Sequence, residues 1–195
     1  GPSFGNTGVG SNALSGLVDG HNNTCIGNMA GNNFTNGHNN TLLGANATLH
    51  LPDEPPQPTP VDGSSNQVVL GDANVTHLFC AINSIISFSD KRDKKDIIDI
   101  PYGLDLINNL QPRQFTWAMR GETDDNPNQG TTRVGFIAQE VQTVLGEDNN
   151  VLNMVYEANP ERLELSYGQL VPVLTKAVQE LTAKLAAMEA RLNAA

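Results

Sequence analysis

Basic residues are scarce in this chain: 11 lysines and arginines stand against 21 aspartates and glutamates, a net charge of −10. Affinity for nucleic acid comes largely from clustered Lys and Arg, so this deficit argues against a phosphate-backbone binder, duplex DNA first of all. Cysteine is nearly absent. Cys25 and Cys80 are too few for a disulfide framework, and their apolar, strand-like settings predict buried free thiols. No run approaches the ~20 apolar residues that span a bilayer, and no basic start leads into an apolar stretch, so neither membrane insertion nor a targeting segment is read. Gly1-Pro2 resembles the scar left when a protease removes a purification tag, which would put the natural start upstream. No motif calls for a cofactor or a metal.

What the chain does contain is unevenly spread. At 195 residues it has room for one compact domain plus an elongated element, or for two small domains. Glycine is concentrated before residue 72, and leucine, isoleucine and valine after Lys95. The first half repeats with a period of 17: Asn6-Thr7-Gly8-Val9-Gly10, Asn23-Thr24-Cys25-Ile26-Gly27, Asn40-Thr41-Leu42-Leu43-Gly44, with Ala13, Ala30 and Ala47 in the same phase. Short apolar pieces punctuated by Asn and Gly read as coils of short strands and tight turns, with helix excluded. The short strands are expected to stack around a shared axis, with Val9, Ile26 and Leu43 inward and the Asn-Gly turns outward. Each coil has too few apolar side chains to bury a core alone, so coils must stack on one another and on other chains, which favours a fibrous trimer. The phrase resembles the Asn-Thr-x-x-Gly coils of phage tail fibres and trimeric adhesin heads. His21 and His38 lie one period apart; they read as repeated polar turn residues, with a metal site formed by three chains as the alternative.

Residues 51–66 carry five prolines and read as a linker or an excursion loop. Val68 to Gly71 and Ala73 to Phe79 then return to a strand-like pattern, which ends at Phe88. Beyond Lys94 the periodicity becomes mixed. Pro101 is a plausible first residue of a helix carrying Leu104, Ile107 and Leu110. Arg113 to Trp117 alternate as a strand and 120–132 is a polar loop. Phe136, Ile137, Val141, Val144 and Leu145 line a second helix closed by Gly146, and Val151–Tyr156 and Arg162–Leu165 read as strands. Val171, Leu174, Val178, Leu181, Leu185, Met188 and Leu192 alternate three and four apart, the seam of a coiled coil that is marginal alone and wants partners.

At the junction of the two halves stands Ser89-Asp90-Lys91-Arg92-Asp93-Lys94. A serine with a lysine five residues on can pair a hydroxyl nucleophile with an amine base, provided folding keeps that amine neutral. Arg92 and Lys95 are candidates for a positive field, and Asp90 for an Asx-type cap or an ion pair with Arg92.

Four separated motifs, Ser89-Asp90-x-Arg92-x-Lys94-Lys95-Asp96-Ile97, Gly103-Leu104-Asp105-Leu106-Ile107, Gly135-Phe136-Ile137-Ala138-Gln139-Glu140-Val141 and Tyr167-Gly168-Gln169-Leu170-Val171-Pro172-Val173-Leu174, resemble the intramolecular chaperone domain of endosialidases, phage tail spikes and neck appendages, the peptidase S74 family. Asp93 departs from the family pattern, which carries an apolar residue between that arginine and lysine. The resemblance implies a self-cleaving serine endopeptidase that acts once, in cis: Ser89 as nucleophile, Lys94 as base, the Phe88–Ser89 bond as the one cut, Asp90 and Arg92 in support, and backbone amides as the oxyanion hole. It also implies a homotrimer, a virion location for the fibre assembled in host cytoplasm, and a host-surface receptor for the mature fibre.

The expected architecture is mixed. A trimeric β-repeat fibre of β-helix or β-roll type occupies 1–50, the Pro-rich stretch 51–66, further β fibre 67–88, an α+β chaperone domain 89–165 and a trimeric coiled-coil helix 166–195. Two rivals stand beside this reading. One is an uncleaved trimeric tip serving as a structural cap. The other is a receptor-binding module using the loops at 51–66 or 120–132, which hold no aromatic cluster. An ordinary hydrolase would need a histidine or a second carboxylate pair near Ser89, and neither is there.

Overall fold

A computed structural model describes residues 3–32, 35–47, 65–72, 74–81, 85–118, 127–157 and 163–194. The chain divides into two compact units, one of Gly1–Asn83 with Thr116–Thr131 and the other of Ser84–Phe115 with Thr132–Ala195.

In the first unit each repeat contributes one three-residue strand: β1 (Thr7–Val9), β2 (Thr24–Ile26), β3 (Thr41–Leu43) and β4 (Val68–Leu70), stacked in that order as a parallel sheet. The period of 17 in the sequence is the register of the ladder, Thr7 opposite Thr24 and Thr24 opposite Thr41. Between β3 and β4 the offset widens, Thr41 facing Val68, so the Pro-rich stretch, of which 51–64 lie outside the described residues, joins two adjacent strands of one sheet.

Tight stacking explains the glycines. Gly27 sits at φ 138°, and a Cβ there would meet the Gly44 carbonyl oxygen at 2.3 Å, so only glycine lets the next coil approach. Inside the coils lie Cys25, Leu42, Ala30 and Ala47, fully buried, with Leu14, Leu17 and Val69 against them. Asn23 and Asn40 are buried as well. Their amides form a ladder. Asn6 Oδ1 accepts from the Asn23 backbone and side-chain nitrogens, Asn23 Oδ1 accepts from both nitrogens of Asn40, and Asn40 Oδ1 accepts from the Gln67 N–H.

Within the single chain the two faces of each strand differ. Val9, Ile26 and Leu43 face outward, 55%, 43% and 37% exposed, and the asparagines of the repeat face inward. Alternation puts residues two apart on one face, and the hydrogen-bonding Asn shares its face with Cys25 or Leu42. With Leu70, the three outward residues form an exposed apolar column, one per strand. Residues 74–81, expected as strand, have no strand partner among the described residues, and Leu78 and Phe79 are exposed. Cys80 is exposed too, against expectation, whereas Cys25 is buried and its thiol is pushed up to about 11 by desolvation.

In the second unit exposed residues 85–90, outside any helix or strand, lead into a 3-10 turn, Lys91–Asp93. The unit continues through α1 (Leu104–Asn109), the paired strands β5 (Arg113–Thr116) and β6 (Thr132–Gly135), α2 (Ala138–Leu145), a short α3 (Asn149–Leu152), the antiparallel pair β7 (Val155–Tyr156) and β8 (Glu164–Leu165), and the long α4 (Leu170–Asn193). Leu110, Val141, Leu145, Leu152, Met154, Val155, Leu170 and Val173 form its core. α1 starts at Leu104, later than Pro101 suggested, and residues 151–152, expected as strand, end the short α3. The turn after α3 is held by Asn149, whose Oδ1 accepts from the backbone nitrogens of Met154 and Val155. Gly146 closes α2 as expected, at φ 51°. Arg113 clasps both carboxylate oxygens of Glu140 at 2.9 Å, tying β5 to α2, and holds that carboxyl below the usual carboxylate range.

α4 has two apolar stripes. Leu170, Val173 and Ala177 are buried in the unit, while Val171, Leu174, Val178, Leu181, Leu185, Met188 and Leu192 are all exposed. Only the second stripe was evident as a heptad pattern. No helix among the described residues is long and apolar enough to cross a membrane.

Candidate active site

Asp90 shapes the site. It precedes the 3-10 turn in extended conformation, and its carboxylate accepts the Arg92 backbone N–H at 2.8 Å, an N-cap of the kind short polar side chains supply. The same carboxylate takes Nε and one terminal nitrogen of the Arg92 guanidinium, at 3.0 and 2.6 Å. Both roles weighed for Asp90, cap and ion pair, are thus filled by one residue. The Arg92 bonds hold the Asp90 carboxyl below its ordinary range, and Asp90 in turn raises Arg92.

The turn closes with the Asp93 N–H on the Asp90 carbonyl and the Lys94 N–H on the Lys91 carbonyl, each at 3.2 Å. Lys94 then leaves in extended conformation at ψ 144°, and its side chain comes back to the start of the turn. Lys94 Nζ donates to Ser89 Oγ at 2.6 Å. One helical turn thus converts a separation of five residues into direct contact. The same contact lets a neutral amine accept the hydroxyl proton, which is the geometry general-base activation of a serine requires.

The surroundings are open in the single chain. Ser89 and Lys94 are exposed, Phe88 is fully so, and Ile85 and Ile86 are more than nine-tenths exposed. Of the two cations considered for a positive field, Arg92 is committed to Asp90, and Lys95 is exposed. Amines lose their proton more readily when removed from water or set beside other cations. None of the described residues covers this pair, so a lysine base here would need its desolvation from elsewhere.

Three residues outside the first motif help hold the second unit together. Gly135 leaves room for the Tyr167 hydroxyl, which would lie 2.7 Å from a Cβ, and that hydroxyl accepts the Phe136 N–H at 3.1 Å. Glu180, on α4, accepts the Leu104 N–H at 2.9 Å and so caps α1, which has no side-chain cap of its own. No local pattern marks Glu180: an acid within a helical heptad pattern reads as solvent-facing.

His21 and His38 stack on each other with ring centroids 3.8 Å apart, and Phe4 stacks on His21 at 4.8 Å. His38 Nδ1 accepts the His21 N–H at 3.3 Å, so the column serves coil-to-coil contact within one chain. Among the described residues no group of three or more His, Cys, Asp or Glu is placed to hold a metal ion.

No curated protein and no solved structure matches the chain. Residues 89–150 match a family model, Peptidase S74, described as chaperone of endosialidase. The matched stretch opens on Ser89 itself, contains Lys94, Asp90 and Arg92, and runs through α1, β5, β6 and α2 into α3. In this stretch the chain carries an intramolecular chaperone domain of the Peptidase S74, chaperone-of-endosialidase, family.

Proposed function

We propose that the chain is the distal part of a phage-type trimeric tail fibre or spike, whose C-terminal chaperone domain directs assembly of three chains and then releases itself by autoproteolysis between Phe88 and Ser89. The observation that carries this reading is the 2.6 Å contact from Lys94 Nζ to Ser89 Oγ, formed at the first residue of the stretch that matches the chaperone family.

In the proposed reaction the neutral Lys94 amine takes the Ser89 hydroxyl proton as Oγ attacks the Phe88 carbonyl carbon. The C–N bond breaks, the Ser89 nitrogen takes up a proton, and Phe88 is left as an ester on Ser89 Oγ. Water hydrolyses the ester, giving a carboxylate at Phe88 and restoring the Ser89 hydroxyl beside the amine already freed. The turn held by Asp90 and Arg92 fixes the approach of base to nucleophile.

Assembly enters through exposure. Ile85, Ile86 and Phe88 beside the pair, the apolar column Val9–Ile26–Leu43–Leu70 and the stripe on α4 are all apolar and uncovered in one chain. Contiguous exposed apolar surface of this kind marks an interaction site. Two further copies covering these faces would also withdraw Lys94 from water, so cutting would follow assembly and act as its checkpoint. Release of the domain then removes the refolding path and leaves the fibre kinetically stable.

Electrophoresis over time tests the reading. The parent should yield two fragments, and Ser89→Ala should remain whole while keeping the parent's oligomeric state. A parent that assembles and never cuts would favour the uncleaved structural cap.

A further inference from the structure

The two stripes of α4 are offset by one residue throughout: Leu170, Val173, Ala177 and Glu180 face the chain's own unit, and Val171, Leu174, Val178 and Leu181 stand beside them in the open. One residue is about 100° of helix rotation. A helix turned by that amount would bury Val171, Leu174, Val178 and Leu181 in its own unit, an apolar set larger than the native one. Hydrophobic burial alone therefore favours the wrong face, and something must choose the right one.

We propose that Glu180 makes this choice, as a positioning residue that fixes the rotation of α4 and so reserves the Val171–Leu192 stripe for two further copies of the chain. Its carboxylate accepts the Leu104 N–H, an orphan donor at the start of α1. Gly103 makes the space: a Cβ there would lie 2.6 Å from Glu180 Oε1. In the rotated helix Leu181 would take this place and leave the α1 amide without an acceptor. The logic is that of a polar residue which specifies register at some cost in burial. Glu180 is also the last residue of the inward stripe with partial burial; from Leu181 onward every described residue of the helix is exposed. The phase set there is the phase with which the free part of the seam leaves the unit.

This inference rests on the trimer reading, and light scattering over a dilution series of the full chain, joined to hydrogen exchange at the Leu104 amide, separates the two. Glu180→Gln keeps an oxygen acceptor and should assemble over the parent's concentration range. Glu180→Leu should lose protection at Leu104 and need about tenfold more protein to assemble, the equivalent of one charge-assisted hydrogen bond, with helical content unchanged. Should Glu180→Leu fail to fold, Glu180→Ala, which removes the acceptor without adding bulk, decides by the same two readouts. Assembly of the acceptor-free variants at the parent's concentration overturns the role of Glu180 alone. A monomeric parent overturns the trimer reading and this inference with it.

Discussion

The Asn23 side-chain oxygen accepts from both nitrogens of Asn40, at 3.0 Å from the backbone and 3.1 Å from the side chain, where both residues are fully buried. Each coil is thereby registered on the one before it. Replacing Asn40 with leucine keeps the backbone donor to Asn23 Oδ1 but removes the side-chain donor, and it takes the Oδ1 acceptor away from the Gln67 N–H. Each buried polar group so stranded costs about 1–3 kcal/mol. Asn40→Leu should accordingly lower the denaturation midpoint strongly, while Asn28→Ala, at an exposed turn, should stay within about 0.5 kcal/mol of the parent. Urea unfolding of the two variants checks this.

Cys25 is the second prediction. Desolvation raises its thiol to about 11 in the folded chain, above the value near 8.5 of a free cysteine. A group whose folded value is raised contributes stability that is complete below the unfolded value and is lost as pH rises through the folded one. Stability of the first unit should therefore decline between about pH 8.5 and 11 by a component that Cys25→Ala removes. In a Cys80→Ser background, a thiol reagent at pH 8 should leave Cys25 untouched until denaturant is added.

The α4 seam gives the third. Leu185 is exposed in the single chain, so Leu185→Asp removes nothing from the chain's own core. It should leave the helical content of the folded unit nearly unchanged and abolish assembly, because a charge in a coiled-coil seam has no partner to offset its desolvation. Light scattering at matched concentration reads the outcome directly.

How far the sequence foretold these features depends on where the determinants lie. The coil period was legible because glycine and asparagine recur wherever one coil touches the next. The interior of each coil was not, because the buried partner of Cys25 and Leu42 is a polar Asn whose ladder becomes visible only once the coils are stacked. The Ser89–Lys94 pair was legible because one short turn makes it and Asp90 signals the cap. Glu180 and Leu104 are far apart in the chain, so no local pattern joins them, and the inward stripe of α4 escaped notice because it ends in a small residue and an acid. Residues 151–152 were misread because Val151 and Leu152 suit a strand, whereas Asn149 draws the following backbone into a helical turn.

In the proposed reaction Ser89 and Lys94 cut the chain. Lys94→Arg tests it most directly, since a guanidinium can still reach Ser89 but stays protonated at any working pH and so cannot act as base. Mass spectrometry over time should find the parent giving a fragment that begins at Ser89 and Lys94→Arg remaining intact in an assembled state like the parent's. A Lys94→Arg chain that releases the same fragment at an undiminished rate would contradict the assignment of Lys94 as the base.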